Sequence, residues 1–264
     1  MNILCIGDIV GRPGRKAIEH LLTPFVRERS IDLVVANAEN AAAGSGFTAP
    51  LFEKLRHHGV DAFTLGDHVY RKREVYSLLA ESDRVVRPAN LPAEAVGRSF
   101  SIVQTPIGPV GFFCLLGRLY MKPLTDCPFH AADRVLAQIP PEVNVIVLDM
   151  HAEATSEKIA LARYLTGRVS VIFGTHTHVP TADEAILANH TAYITDVGMT
   201  GPHDSVLGRD AKAVVDSMVT GMPFPFDVAS GDVRLNGVLV GVDETTGAAR
   251  SIERIRLDLP DNVE

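Results

Sequence analysis

The sequence contains no run of 18 or more apolar residues, which argues against a membrane-spanning helix. It holds only three cysteines, an odd number without Cys-x-x-Cys spacing, so neither a disulfide framework nor a thiolate metal cluster is indicated. Cys5 and Cys114 sit inside apolar runs, where a reduced thiol acts as a small hydrophobe, and Cys127 falls in a polar stretch. Positive charge is also scarce: 25 Lys and Arg face 32 Asp and Glu, a formal charge of −7. A partner held mainly through its phosphates needs clustered cations, so long nucleic acid is not the expected ligand. Low-complexity tracts, internal repeats and linker-like stretches are absent too. Met1 leads through a short apolar run straight into Gly7-Asp8, without the layout of a secretory signal. The expectation is one domain over residues 1–264, cytoplasmic and not membrane-bound.

What the sequence does contain is ample core material, with 46% hydrophobic residues; a chain of this length buries roughly 70–75% of the surface its unfolded form exposes. Short apolar runs (3–6, 33–36, 62–65, 143–148 and 169–173) alternate with amphipathic, helix-length segments. That alternation indicates an α/β protein. Pro13 suits a helix start, while Gly59 and Gly167 lie where a helix would give way to a strand. Two regions break the pattern. Residues 100–105 and 110–116 flank a Pro-Ile-Gly-Pro turn, and 233–242 precede a Glu-Thr-Thr-Gly turn and the alternating Ile252, Ile255 and Leu257. Both read as hairpins, and they suggest a second sheet packed on the first.

The ends of the five runs carry the chemistry. They are followed in turn by Gly7-Asp8, Ala38-Glu39-Asn40, Gly66-Asp67-His68, Asp149-Met150-His151 and Gly174-Thr175-His176-Thr177-His178. Ligands in open α/β sheets collect beyond the carboxyl ends of strands, so side chains about 170 positions apart can converge there. Capping explains single Asp or Asn residues, but not histidine at three of five strand ends. His176 and His178 form a His-x-His pair, and in extended backbone residues i and i+2 share a face; the expectation is that both rings point to one site along a strand. Of the other histidines, His20, His57, His58, His130 and His190 have no assigned role, with His130 placed in a proline-bordered loop; His203 lies in a loop rich in special-geometry residues.

Asp, Glu, Asn and imidazole donors without thiolate suit Mn, Fe, Zn or Co better than Mg or Ca. The donors outnumber what one ion with an open position needs. Two ions sharing a carboxylate, roughly 3.5–4 Å apart, account for the surplus and serve phosphoryl displacement. Arg12, Arg15, Arg87 and Arg118 lie in or near the loops and are candidate phosphate contacts, with surface solvation or helix-start packing as their ordinary roles.

The blocks Gly66-Asp67-His68, Gly174-Thr175-His176-Thr177-His178 and Gly7-Asp8 resemble those of calcineurin-like metallophosphoesterases. The fuller strings at 7–11, 37–42, 151–158 (His-Ala-Glu-Ala-Thr-Ser-Glu-Lys) and 195–202 (Thr-Asp-Val-Gly-Met-Thr-Gly-Pro) resemble the YmdB-like bacterial branch, whose members act as cyclic-nucleotide phosphodiesterases. The resemblance runs from about residue 3 to the C-terminal hairpin. It implies a four-layer α/β/β/α sandwich of the metallophosphoesterase type, a homo-oligomer, and two metal ions, iron first, with manganese or zinc as alternatives. By the same resemblance Asp8, Glu39, Asn40 and His178 would hold one ion, and Glu39, Asp67, His151 and His176 the other, Glu39 bridging. His68 would stand beside the second ion as proton donor. Two positions depart from the wider family pattern: Asp8-Ile9-Val10 replaces Asp-x-His, with Asn40 filling the vacancy, and Asp67 stands where the family generally has Asn. The additional carboxylate makes the site more negative.

The function expected is hydrolysis of a small phosphodiester, a 2′,3′-cyclic nucleotide first and a 3′,5′-cyclic one as alternative, by metal-activated hydroxide with His68 as general acid. There are two rival readings. A dinucleotide-binding dehydrogenase is suggested by Gly7, Gly11 and Gly14, but their spacing is not the fingerprint and it leaves the histidines idle. A non-catalytic nucleotide or metal sensor would use the same cleft and the same residues.

Overall fold

A computed structural model describes residues 1–122 and 124–260. The elements run β1 (Asn2–Ile6), α1 (Gly11–Ala17), α2 (Thr23–Glu28), β2 (Leu33–Asn37), α3 (Ala49–His57), β3 (Ala62–Thr64), α4 (Val75–Glu81) and β4 (Val85–Val86). The second half continues with β5 (Phe100–Gln104), β6 (Pro109–Leu116), α5 (Pro128–Leu136), β7 (Val145–His151), α6 (Thr155–Leu165) and β8 (Val171–Thr175). It closes with β9 (Ala185–Leu187), β10 (Thr191–Ile194), β11 (Gly201–Asp204), α7 (Ala211–Thr220), β12 (Gly231–Val242) and β13 (Ala249–Asp258).

Period-two burial builds the layers. In β1 and β2, Ile3, Cys5, Leu33 and Val35 join Phe112 and Cys114 of β6 and Val145 and Val147 of β7 in one apolar cluster between two sheets. The alternate residues Leu4, Ile6, Val34 and Ala36 pack with Ile18, Leu22, Phe52, Leu55 and Leu79 of the helical layer on one side. Phe113, Leu115, Ile146, Leu148 and Met150 pack with Ala131, Val135, Leu161 and Leu165 of α5 and α6 on the other. Strands buried on both faces read as continuous apolar runs, which is why β1 and β2 are so visible in the sequence. The result is the expected α/β/β/α sandwich.

One sheet has the order β11-β12-β1-β2-β3-β4 with β13 paired to β12, and the other β5-β6-β7-β8-β10-β9. The central strands β1, β2, β3 and β4 are parallel, as are β6, β7, β8 and β10. Both expected hairpins form as antiparallel pairs, β5 with β6 and β12 with β13. β4 and β11 are additional short strands, too brief to stand out as apolar runs. His20 falls in a π-helical segment, Ile18–Leu22, joining α1 to α2; Pro24 in the turn beyond has no N–H to give to the His20 carbonyl, which favours the wider turn. His130 belongs to α5 rather than to a loop, because Pro128 opens that helix at a position where a missing N–H costs nothing. His203 lies in β11, its Nε2 3.0 Å from Asn236 Nδ2 and 3.2 Å from the Met199 carbonyl. Among the described residues no helix is long and apolar enough to cross a membrane.

Phe173 of β8 is fully buried in the inter-sheet cluster. Phe173→Ala is expected to lower the unfolding free energy by about 3–5 kcal/mol, read from urea denaturation midpoints at unchanged slope.

Candidate metal centre

The parallel strands of both sheets end on one side of the sandwich, and their last residues meet there. Beneath the site the sheets are tied by the buried Asp149 of β7, which accepts hydrogen bonds from Asn37 Nδ2 (2.9 Å), Thr64 Oγ1 (2.5 Å) and Thr175 Oγ1 (2.6 Å). Burial pushes the Asp149 carboxyl up to about 6, against the lowering influence of His151 and these three donors.

Above this layer lie the eight residues that the sequence points to as metal ligands and proton donor. Asp8, Glu39, Asn40 and His151 are buried, while Asp67, His68, His176 and His178 are partly exposed at the mouth. His151 Nε2 is 3.2 Å from both Glu39 Oε1 and Asp67 Oδ1, and 3.1 Å from His176 Nδ1. His176 Nδ1 lies 3.5 Å from Asp67 Oδ1. At the other end, His178 Nε2 is 3.2 Å from Asn40 Nδ2 and 3.8 Å from Asp8 Oδ1. Glu39 sits between the two groups. Gly66 leaves it room: a Cβ there would overlap the Glu39 carboxylate and the His151 ring.

The hydrogen bonds fix where the imidazole protons lie. Thr175 gives its one hydroxyl hydrogen to Asp149, so toward His151 Nδ1, 2.8 Å away, it can only accept. His178 Nδ1 meets the Leu207 carbonyl at 3.0 Å, and His176 Nε2 meets Glu153 Oε2 at 3.3 Å, both pure acceptors. Each neutral ring therefore holds its proton on the outer nitrogen and turns a lone pair inward. The inward nitrogens of the three rings face several carboxylate oxygens, an excess of negative charge that a cation relieves, whether a proton on His151 or a metal ion. The donor set thus fits metal ions, and three overlapping groups have the spacing to hold one: Asp67-His151-His176, Asp8-Glu39-His151 and Glu39-Asp67-His68. Electrostatics agree. Burial opposes a charged His151, yet Glu39, Asp67 and Asp8 raise its pKa well above the ordinary value. Burial likewise opposes ionised Asp8, but His178, His151 and the His176 amide outweigh it and lower its pKa.

The His-x-His pair reaches the site by a different route from the one expected. His176 and His178 have φ of +95° and +65°, not extended backbone, so their rings serve opposite ends of the centre instead of sharing a strand face. Left-handed backbone is unfavourable outside glycine, and a buried clamp holds it. Asp196 Oδ2 accepts from Thr177 N (3.2 Å), Thr177 Oγ1 (2.8 Å) and Lys158 Nζ (2.7 Å), and Asp196 Oδ1 accepts from Gly198 N (2.8 Å). Lys158 also donates to the Thr175 carbonyl at 2.7 Å, and Asp8 Oδ2 accepts from His176 N at 3.0 Å. Lys158 and Asp196 come from the 151–158 and 195–202 strings, whose local pattern gives no hint that they pair.

Arg15 and Arg87 do not approach the centre with free guanidinium groups: Arg15 donates to the Ala41 carbonyl, and Arg87 to those of Ala95 (3.1 Å) and Pro88 (2.9 Å). Arg12 lines a separate cavity with Lys16 and Asp232, and Arg118 is exposed in the loop after β6.

A family model described as YmdB-like protein matches residues 4–255. A relative from Bacillus subtilis (strain 168), named 2′,3′-cyclic-nucleotide 2′-phosphodiesterase, is 41% identical over 98% of this chain and 97% of its own. Two solved structures superpose with a TM-score of 0.92. One, a hypothetical protein from Thermus thermophilus, is 41% identical, covering 98% of this chain and 100% of that one. The other, described as a novel phosphatase from Mycoplasma pneumoniae, is 32% identical, covering 98% and 93%.

Removing one partner of a buried ion pair strands the other. Asp196→Ala is expected to cost about 3–5 kcal/mol of stability, and the double change Lys158→Met with Asp196→Leu much less, as read from chemical denaturation. Both should loosen the 176–178 loop and lower metal retention in elemental analysis after dialysis.

Proposed function

The chain belongs to the YmdB-like family, and from that premise we propose that it is a metal-dependent phosphodiesterase opening cyclic nucleotides, 2′,3′-cyclic ones first, with His68 as proton donor. The observation that carries this reading is the position of His68. It is partly exposed at the mouth, its amide donates to Glu39 Oε2 at 2.8 Å, and its Nδ1 lies 2.8 Å from Asn40 Oδ1. Asp8, Glu39, Asn40 and His178 would hold one cation and Glu39, Asp67, His151 and His176 the other; iron is the proposed metal, with manganese or zinc the alternatives. When bound, such a pair supplies Lewis acidity toward the phosphoryl oxygens and acidifies a water for attack.

The chain's own groups do the rest. Asn40 Oδ1 accepts from His68 Nδ1, and Glu39 Oε1 lies 3.4 Å from the same nitrogen. The ring that acts as general acid is then the imidazolium, which keeps its Nδ1 proton on Asn40 and gives its Nε2 proton to the ribose oxygen that leaves phosphorus on the side opposite the attacking water. A departing 2′ oxygen gives a nucleoside 3′-monophosphate. His151, His176 and His178, each held by an outer partner, keep the inward lone pairs fixed while the substrate turns over.

His68→Ala is expected to slow turnover of 2′,3′-cyclic nucleotides about 10²–10⁴-fold with metal content near wild type, whereas Glu39→Ala loses metal from both positions. Full activity in His68→Ala, or loss of its metal, would overturn the assignment. Elemental analysis combined with assays on bis-p-nitrophenyl phosphate and 2′,3′- and 3′,5′-cyclic nucleotides reads both; bound metal without turnover of any of these substrates would favour a regulatory protein using the same cleft. Asp67→Asn removes one negative charge from the mouth and is expected to raise kcat/KM for these anionic substrates.

A further inference from the structure

The centre offers a cyclic nucleotide places for its phosphate but none for its base. Every group described there is a carboxylate, an amide, a hydroxyl or an imidazole committed to hydrogen bonds. A nucleobase has apolar faces, and proteins that hold single bases stack them on aromatic rings. The sequence has no tryptophan, so outside the histidines of the centre the aromatic faces it can offer are those of tyrosine and phenylalanine.

Tyr120 stands out on three independent counts. It is 89% exposed, whereas Tyr76, Tyr164, Phe224 and Phe226 are between 40% and 45% exposed. Its φ of +62° places a bulky residue in the left-handed region, a conformation that is an outlier for such side chains and that no packing of this exposed ring offsets. Its loop is anchored to the centre. Gly117 N donates to the His151 carbonyl at 2.9 Å, and the amides of Arg118 and Leu119 donate to the Glu157 carboxylate at 3.0 Å. From Gly117 to Tyr120 is three residues, at most roughly 11 Å of chain, so the ring is tethered beside the end of β7. A cavity of about 400 Å³, lined by Arg118, Leu119, Leu124 and Phe129 among others, lies along this loop.

We propose that Tyr120 is the stacking platform for the nucleobase of the substrate, so that preference for nucleotides over other phosphodiesters resides in the loop after β6 and not in the metal centre. The inference rests on the cyclic-nucleotide reading above. Stacking tolerates any base, since each has a π-face, so selection acts on the presence of a base more than on its identity.

The test compares adenosine 2′,3′-cyclic phosphate with the 2′,3′-cyclic phosphate of methyl riboside, which has the same reacting group and no base. The expected result is that the wild-type ratio of kcat/KM for the two falls roughly 5- to 150-fold in Tyr120→Ala, mainly through KM, and is kept in Tyr120→Phe. An unchanged ratio in Tyr120→Ala, or a ratio lost equally in Tyr120→Phe, overturns the proposal. If the wild-type protein turns over neither compound, the catalytic reading fails by itself, and calorimetry decides the platform. Adenosine 3′-monophosphate should then bind wild type more tightly than ribose 3-phosphate, and Tyr120→Ala should erase the difference; equal affinities in wild type overturn it. A Tyr120→Ala protein whose sedimentation mass changes while base preference persists assigns the ring to contact between copies and also overturns it.

Discussion

The structure is organised around acidic side chains kept out of water without a permanent cation beside them. Asp8 and Glu39 are buried, and among the described residues their ion-pair partners are histidines alone: His151 and His178 for Asp8, His68 and His151 for Glu39. Burial of unpaired carboxylates is costly. A lysine in the centre would neutralise them and block it. Histidine meets the electrostatic need and can hand its lone pair to an added cation, which is why the inner surface uses this residue type and the outer nitrogens are taken up by Thr175, Glu153 and the Leu207 carbonyl.

A permanent cation is present one layer down, where it cannot compete for the centre. Lys158 lies buried against Asp196, and together they hold Thr175 and Thr177, the residues on either side of His176. The buried pair is weak evidence for stability in general; its role here is geometric. Two consecutive reversals of backbone hand, at His176 and His178, send neighbouring rings to opposite ends of the centre, and that placement needs the intervening Thr177 fixed from below. Asp149 acts similarly through Thr175 on His151. The same polar layer that ties one sheet to the other thus also orients the ligands, so the inter-sheet packing and the centre are not separable structures.

The difference between local and long-range determinants explains what the sequence reveals. β1, β2, β7 and β8 are legible because burial on both faces writes an unbroken apolar run, and the donors are legible because parallel strands deliver their ends to one side. The convergence of Asp8, Glu39, Asn40, Asp67, His68, His151, His176 and His178 follows from those two facts together, whereas the four layers are what the family resemblance implies. The Lys158–Asp196 contact is not legible: its partners are 38 positions apart, and a lysine in a polar helical stretch carries no sign that it is buried. Nor is the conformation of the His-x-His segment, since spacing alone cannot distinguish an extended pair from two left-handed residues clamped at the centre. Pro128 reads as the border of a loop because proline marks helix starts and loops alike.

The formal charge of −7 acquires a more specific meaning from this arrangement. Acidic residues inside the centre make the apo site unattractive to anions, and Arg15 and Arg87, which could have offset them, are spent on backbone carbonyls. On the proposed function, attraction for a phosphodiester would arise from cations bound to the carboxylates, whose charge inverts the local field. Recognition of phosphate becomes conditional on metal loading, while a base stacked on an uncharged ring at the rim would be recognised in either state. On the same reading a long polyanion gains little, because it needs a row of cations and one metal-loaded pocket would supply a single focus of positive charge.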